Sequence, residues 1–166
     1  MDKKNNIHTI SLLVSNKPGV LIRCAQVFAR RGFNIDSLVV STTINPKYSR
    51  MTITAQGDPE TLDQIIKQSA KLIDVLHAGE HDEASTVTRE YALIKIKSTP
   101  NTLPAIKKLA AKYKAKIVDQ TSKLLIIEQA GPTSILNEFE EHMKKFTIVE
   151  MVRSGKLVMA KGQEAT

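Results

Sequence analysis

From Ile7 to Ala78 the hydrophobic period of the chain switches between two residues and helical spacing, in the order strand, helix, strand, strand, helix, strand. Ile10, Leu12 and Val14 alternate with Thr9, Ser11 and Leu13, as in a strand over Ile7 to Val14. Ser15-Asn16-Lys17-Pro18-Gly19 is a cluster of turn formers. From Val20 the apolar residues Val20, Leu21, Cys24, Val27 and Phe28 recur at helical spacing, and Gly32 stands just past the end. Ile35 to Thr42 is β-rich, Asn45-Pro46 marks a turn, and Ser49 to Gln56 is β-rich again. Gly57-Asp58-Pro59 opens a second helix, with Asp58 suited to cap it and Pro59 to its first position. Leu62, Ile65, Ile66, Ser69 and Ile73 form its inner stripe, and Asp74 to Ala78 reads as a fourth strand. This order is the ferredoxin-like arrangement.

Gly79 to Thr88 is polar and aperiodic and reads as a linker, after which the same grammar recurs. The second half predicts a strand over 90–97, a helix over 100–112 with Pro104 in its first turn, strands over 116–120 and 124–129, a helix carrying Ile135, Leu136, Phe139 and Met143 inward, a strand over 148–152, and an apolar terminal extension over 157–160. The expected class is α+β, with two ferredoxin-like βαββαβ domains at residues 1–80 and 89–166 joined by a linker at 81–88. In each, two helices cover one sheet face and leave the other bare. Bare faces and free edges invite pairing, and a symmetric dimer is the simplest cover.

The formal charge of +7 is shared by both halves, so neither is a basic tail. Lys107, Lys108, Lys112, Lys114 and Lys116 are the densest cationic run, but no nucleic-acid motif accompanies them, and they read as a solvated helix face. The single cysteine, Cys24, suits a reducing compartment and sits on an apolar stripe, as a small hydrophobe rather than a nucleophile. The polar start of the chain lacks the apolar run of a signal peptide, and no segment approaches a membrane span. A soluble, cytoplasmic protein is expected, with neither membrane nor nucleic acid as partner. No catalytic constellation emerges. His77, Glu80, His81, Asp82 and Glu83 are close enough to ligate a metal, but they straddle a strand end and the linker, so a solvated hinge and no metal is the expectation.

The informative segment is the first strand-to-helix connection, Asn16-Lys17-Pro18-Gly19-Val20-Leu21. A helix N-terminus offers unpaired N–H groups and partial positive charge to a carboxylate. Gly19 has no side chain to block approach, and Asn16 can cap the turn or reach a ligand. Asn34, at the following helix-to-strand corner, adds an amide, while Ile35 and Leu21 offer apolar contact to an aliphatic group. The bare residues fit an ordinary turn and helix exit equally well.

Asn16 to Leu21, Phe28 to Leu38 and Ser49 to Ile53 together resemble the ACT domain of the acetohydroxyacid synthase (acetolactate synthase) regulatory small subunit. The resemblance continues through Lys71 to Val75, Arg89-Glu90, Ala92 to Ile96, Ala115 to Asp119 and Arg153-Ser154-Gly155. It departs at Tyr91, where a smaller aliphatic is usual, and over Lys156 to Lys161. The resemblance implies a homodimer whose ACT domains pair side by side around a branched-chain amino acid, typically valine. Asn16, Gly19 and Asn34 would be its polar contacts, with the backbone of Lys17, Pro18, Gly19, Val20 and Leu21 lining the site beside Ile35. It also implies a non-catalytic chain without cofactors. The catalytic large subunit, its partner, would carry thiamine diphosphate, Mg and FAD. The rival readings are a free-standing ACT-type sensor that controls another enzyme, an enzyme in its own right, and a nucleic-acid binder.

Overall fold

The computed structural model describes residues 7–163 and 166. Strand β1 (Ile7–Ser15) leads into helix α1 (Val20–Ala29), strands β2 (Ile35–Thr42) and β3 (Tyr48–Gln56), helix α2 (Pro59–Ser69) and strand β4 (Val75–Glu80). The sheet order β2-β3-β1-β4 is the ferredoxin-like one. β1 pairs antiparallel with β3 from Ile7 opposite Gln56 to Ser15 opposite Tyr48. Its alternation sends Ile10, Leu12 and Val14 under the helices, where they meet Val20, Cys24, Phe28, Met51, Ile53, Leu62 and Ile65 in one buried cluster. At the start of α2, Asp58 Oδ1 accepts the Thr61 N–H at 2.8 Å, with Pro59 at the first helical position. The same hydrogen bond holds the Asp58 carboxyl below the usual carboxylate range.

The second set runs β5 (Thr86–Lys97), α3 (Leu103–Lys112), β6 (Lys116–Gln120), β7 (Leu124–Gly131), α4 (Thr133–Met143), β8 (Ile148–Arg153) and β9 (Leu157–Ala160). Its order, β6-β7-β5-β8, repeats the first, and β9 pairs with β5 off that path. Ile94, Ile96, Ile106, Leu125, Ile127, Phe139 and Met143 form its core. Beneath the helices, Tyr113 donates to Glu138 Oε1 at 2.5 Å, and burial together with that carboxylate pushes its phenol up to about 12. Among the described residues no helix is long and apolar enough to cross a membrane.

Several expected boundaries move, each for a local reason. The inner stripe of α2 stops at Ser69, and Ile73, in the turn that follows, is 97% exposed. Only residues 81–85 lie outside strands, so the linker is shorter than 81–88: Asp82 ties it into a turn by accepting from Ala84 N and, through its carbonyl, from the Thr86 hydroxyl. Helix α3 begins at Leu103 rather than Pro100, because Thr99 and Thr102 cross-bond their amides and hydroxyls in a turn before it. The terminal extension is strand β9. The chain divides into a unit of residues 1–87 with 156–166 and a unit of residues 88–155, so the last segment returns to the first unit. Lys161 N bonds Ser85 O at 2.9 Å, and the buried Lys156 ammonium lies 3.6 Å from Glu83.

The second sheet faces also differ from a simple bare surface. In the first unit that face carries Thr9, Ser11, Thr52 and Thr54, all buried. His81 Nε2 meets the Ser11 hydroxyl at 2.6 Å, and Lys156 reaches Thr9. In the second unit Tyr91, Leu93 and Val152 remain exposed, and Tyr91 donates its hydroxyl to Glu128.

One buried ion pair fastens the second unit. Glu90, 6% exposed, accepts from Arg153 Nη2 at 2.5 Å and Nε at 3.2 Å, and also from the Thr133 hydroxyl. Arg153 Nη1 reaches Asn137 on α4 at 2.7 Å. Removing one member strands the other's charge. Arg153→Met is therefore expected to destabilise the protein by about 3 kcal/mol, whereas the double change Arg153→Met with Glu90→Leu recovers much of that loss. Urea unfolding of the wild type, both single variants and the double variant measures the coupling; additive losses would show that the pair contributes nothing of its own.

Candidate functional site

Three hydrogen bonds tie the β1–α1 loop to neighbouring segments, and one unusual torsion turns it. Ser15 N donates to Asp74 O and Asn16 N to Lys47 O, both at 2.8 Å. The Asn16 side-chain amide donates to Pro46 O at 3.0 Å, so Asn16 stitches this loop to the β2–β3 turn instead of capping α1. Gly19, at the N-cap, has φ 82° and ψ −10°, the left-handed region in which a Cβ is strained. No side chain caps α1 and its first turn holds no acidic residue. Val20 N donates to Lys17 O at 3.4 Å, and the Leu21 and Ile22 N–H groups have no partner among the described residues, which leaves them for an anion from outside.

The loop offers backbone more than side chains. Asn16, Lys17, Pro18, Gly19 and Leu21 are exposed, whereas Val20 points into the core at 2% exposure. Val20 can line a site only through its main chain. The space at Gly19 is not empty either: a Cβ there would lie 3.1 Å from Arg23 Nη1. Arg23 stands one helical turn beyond Gly19, and its Nη2 donates to Asp74 Oδ2 at 2.5 Å. Sequence reasoning missed Arg23 and Asp74 as a pair; the four-residue spacing from Gly19, which stacks Arg23 over the turn, was a signal for Arg23, while Asp74, 51 residues further on, had no local one.

Asn34 occupies the other corner of α1. It is exposed, and its side chain makes no hydrogen bond among the described residues, while Ile35 packs against the core. The preceding Phe33 ring lies over Gly57, where a Cβ would fall 2.0 Å from Cζ. Gly57 thus sets the position of the corner that presents Asn34.

Within one chain the structure does not bring these two groups together. Ile35 is in register with Ala55, and Thr42 with Ser49. Ser15, at the loop end, is in register with Tyr48. The Asn34 corner and the Asn16–Leu21 loop therefore lie at opposite ends of the same sheet, about 20 Å apart at strand rise. No single amino acid spans that distance.

Glu80, His81 and Glu83, also singled out by sequence, are occupied in separate contacts. His8 Nδ1 pairs with Glu80 at 2.6 Å, His81 with Ser11, and Glu83 with Lys156. Burial and the nearby Arg50 charge push the His81 imidazole down, which favours its neutral form. Burial pushes the Cys24 thiol up, which disfavours the thiolate a nucleophile needs.

Residues 10–77 match the family described as the AHAS small subunit-like ACT domain, and residues 89–162 match the family described as the small subunit of acetolactate synthase. A protein of Archaeoglobus fulgidus described as a probable acetolactate synthase small subunit is 43% identical over 157 residues, covering 95% of this chain and 98% of that protein. The acetolactate synthase small subunit of Mycolicibacterium smegmatis is 39% identical, covering 93% of this chain and 91% of its own length. The crystal structure of the acetolactate synthase small subunit from Thermotoga maritima superposes with a TM-score of 0.86 at 35% identity, covering 96% of this chain and 99% of that one. With both halves matched in order and near-complete coverage of these relatives, the chain belongs to the acetolactate synthase small-subunit family, with an N-terminal ACT domain.

Proposed function

We propose that this chain is a non-catalytic regulatory subunit of acetohydroxyacid synthase, a homodimer that binds and activates the catalytic large subunit and confers feedback inhibition by a branched-chain amino acid, with valine the first candidate. Thiamine diphosphate, Mg and FAD belong to the catalytic partner in this reading, and this chain contributes none of them.

The observation that carries the proposal is the split of the candidate site across one sheet. β2 is an edge strand, with the Asn34 corner at its start and the loop end of the sheet at its finish. A two-fold axis normal to the sheet would pair β2 antiparallel with β2 of a second copy. Ile35 of each copy would then lie opposite Thr42 of the other, and the Asn34 corner of one would meet the Asn16–Leu21 loop of its partner. Two composite sites result, each assembled from two chains. A ligand that bridges two chains favours one dimer arrangement over others, and only such differential binding can shift a conformational equilibrium. A coupling of roughly 1–3 kcal/mol is the usual scale.

The deciding assay measures acetolactate formation by the catalytic subunit with and without this chain, titrated with valine, leucine and isoleucine. Stimulation followed by inhibition with at least one of them is expected; no effect of the chain on turnover would remove the proposal. Sedimentation should show a dimer at micromolar concentration, and a stable monomer would remove the composite site.

Asn34→Ala removes a hydrogen bond to a charged group, about 1.5–3 kcal/mol, so effector affinity should fall roughly ten- to a hundred-fold by calorimetry. Gly19→Ala forces a left-handed residue and crowds Arg23, and it should also weaken binding. A mixed dimer with Gly19→Ala in one chain and Asn34→Ala in the other retains one intact site. The isolated mixed dimer should therefore bind tightly at half the wild-type stoichiometry, and an equimolar mixture that has exchanged subunits at random at about a quarter of it. Mixed dimers that bind no better than either parent would show that each site lies within one chain.

A further inference from the structure

We infer that Arg23 is the side chain that receives the effector's carboxylate at the β1–α1 loop; the inference rests on the composite-site reading above and adds a residue to it. Gly19 was expected to keep an open approach to the helix amides. The space beside its Cα instead holds a guanidinium, with Arg23 Nη1 3.1 Å from where a Cβ would stand. The cation thus lies against the N-cap residue itself.

Three further features make this guanidinium a receptor and not merely a brace. Asp74, 13% exposed, accepts from Nη2 and fixes the orientation of the plane. Nε and Nη1 make no hydrogen bond among the described residues, and the side chain is 45% exposed, so donors remain for an incoming group. The first turn of α1 has neither a capping side chain nor an acidic residue, so no carboxylate among the described residues answers its N–H groups. Arginine stays charged at any working pH and offers planar paired donors, which match a carboxylate better than a carboxamide. An α-carboxylate seated there would accept from Arg23 and from the helix amides together, with its aliphatic side chain left to the partner's Asn34–Ile35 corner.

The test compares each branched-chain amino acid that binds the wild type with its own carboxamide, by calorimetry on the full-length protein. The wild type should prefer the acid at least tenfold. Arg23→Gln should weaken the acid at least tenfold while changing the amide little, so that the preference collapses. Arg23→Lys, which keeps the charge without the fork, should retain part of it. If Arg23→Gln weakens acid and amide in the same ratio, Arg23 only shapes the loop and the assignment is wrong. Unchanged acid affinity in Arg23→Gln overturns it equally. If the wild type binds none of valine, leucine and isoleucine, the regulatory reading itself fails and this assignment falls with it. Wild-type binding with an unaltered acid-to-amide ratio in the variants would remove Arg23 alone.

Discussion

The antiparallel pairing of β1 with β3, unbroken from Ile7–Gln56 to Ser15–Tyr48, is the constraint on which the rest of the first unit depends. Because side chains alternate along a strand, this register commits Ile10, Leu12, Val14, Met51 and Ile53 to the helix side and Thr9, Ser11, Thr52 and Thr54 to the other. A slip of one residue would exchange an aliphatic core for a row of hydroxyls. The same register decides where each end of α1 emerges, and so separates the Asn16–Leu21 loop from the Asn34 corner. The distance between these groups follows from the core, and a site that uses both groups follows only from two copies.

Local chemistry is then tuned at the two ends of α1. At the start, a left-handed Gly19 and an uncapped first turn leave the Leu21 and Ile22 N–H groups without a partner among the described residues, with a guanidinium held nearby by Asp74. At the finish, the Phe33 ring on Gly57 presents an Asn34 amide with no hydrogen-bond partner among the described residues. In the proposed reading, the two ends of the helix would supply separately the anion seat and the polar and apolar contacts that an amino-acid zwitterion needs. The two units also differ where their folds agree. The second sheet face is hydroxyl-lined and reached by His81 and Lys156 in the first unit, and exposes Tyr91, Leu93 and Val152 in the second.

Much of this architecture was legible in the chain because hydrophobic period is a local property. The alternation around Ile10, Leu12 and Val14, the helical spacing from Val20 to Phe28, and the Asp58-Pro59 helix start each need only neighbouring residues, and each appears in the structure. The ACT resemblance carried Asn16, Gly19 and Asn34 as candidates through the residues around them. Errors arose where an apolar residue had no long-range partner, or had one that periodicity does not register. Ile73 continued the α2 stripe in spacing but lies in a turn exposed to solvent. Residues 157–160 read only as an apolar terminal extension, because their pairing partner in β5 lies sixty or more residues earlier. Residues 81–88 looked structureless because Asp82 turns the chain through side-chain and carbonyl bonds that no hydrophobic pattern reveals.

The sequence by itself determined the doubled βαββαβ order, the Asp58 cap of α2 and the loop in which a glycine must sit, since all of these depend on interactions within a few residues. Only the tertiary structure decided that Asn16 serves the Pro46 turn, that Val20 turns inward and that Arg23 fills the space at Gly19 under the control of Asp74. It also decided that Glu90 and Arg153 close the second unit, and that the last residues return to the first. Hydrogen bonds and ion pairs are short-ranged in space but indifferent to separation along the chain. Their partners become defined only once packing has set the register.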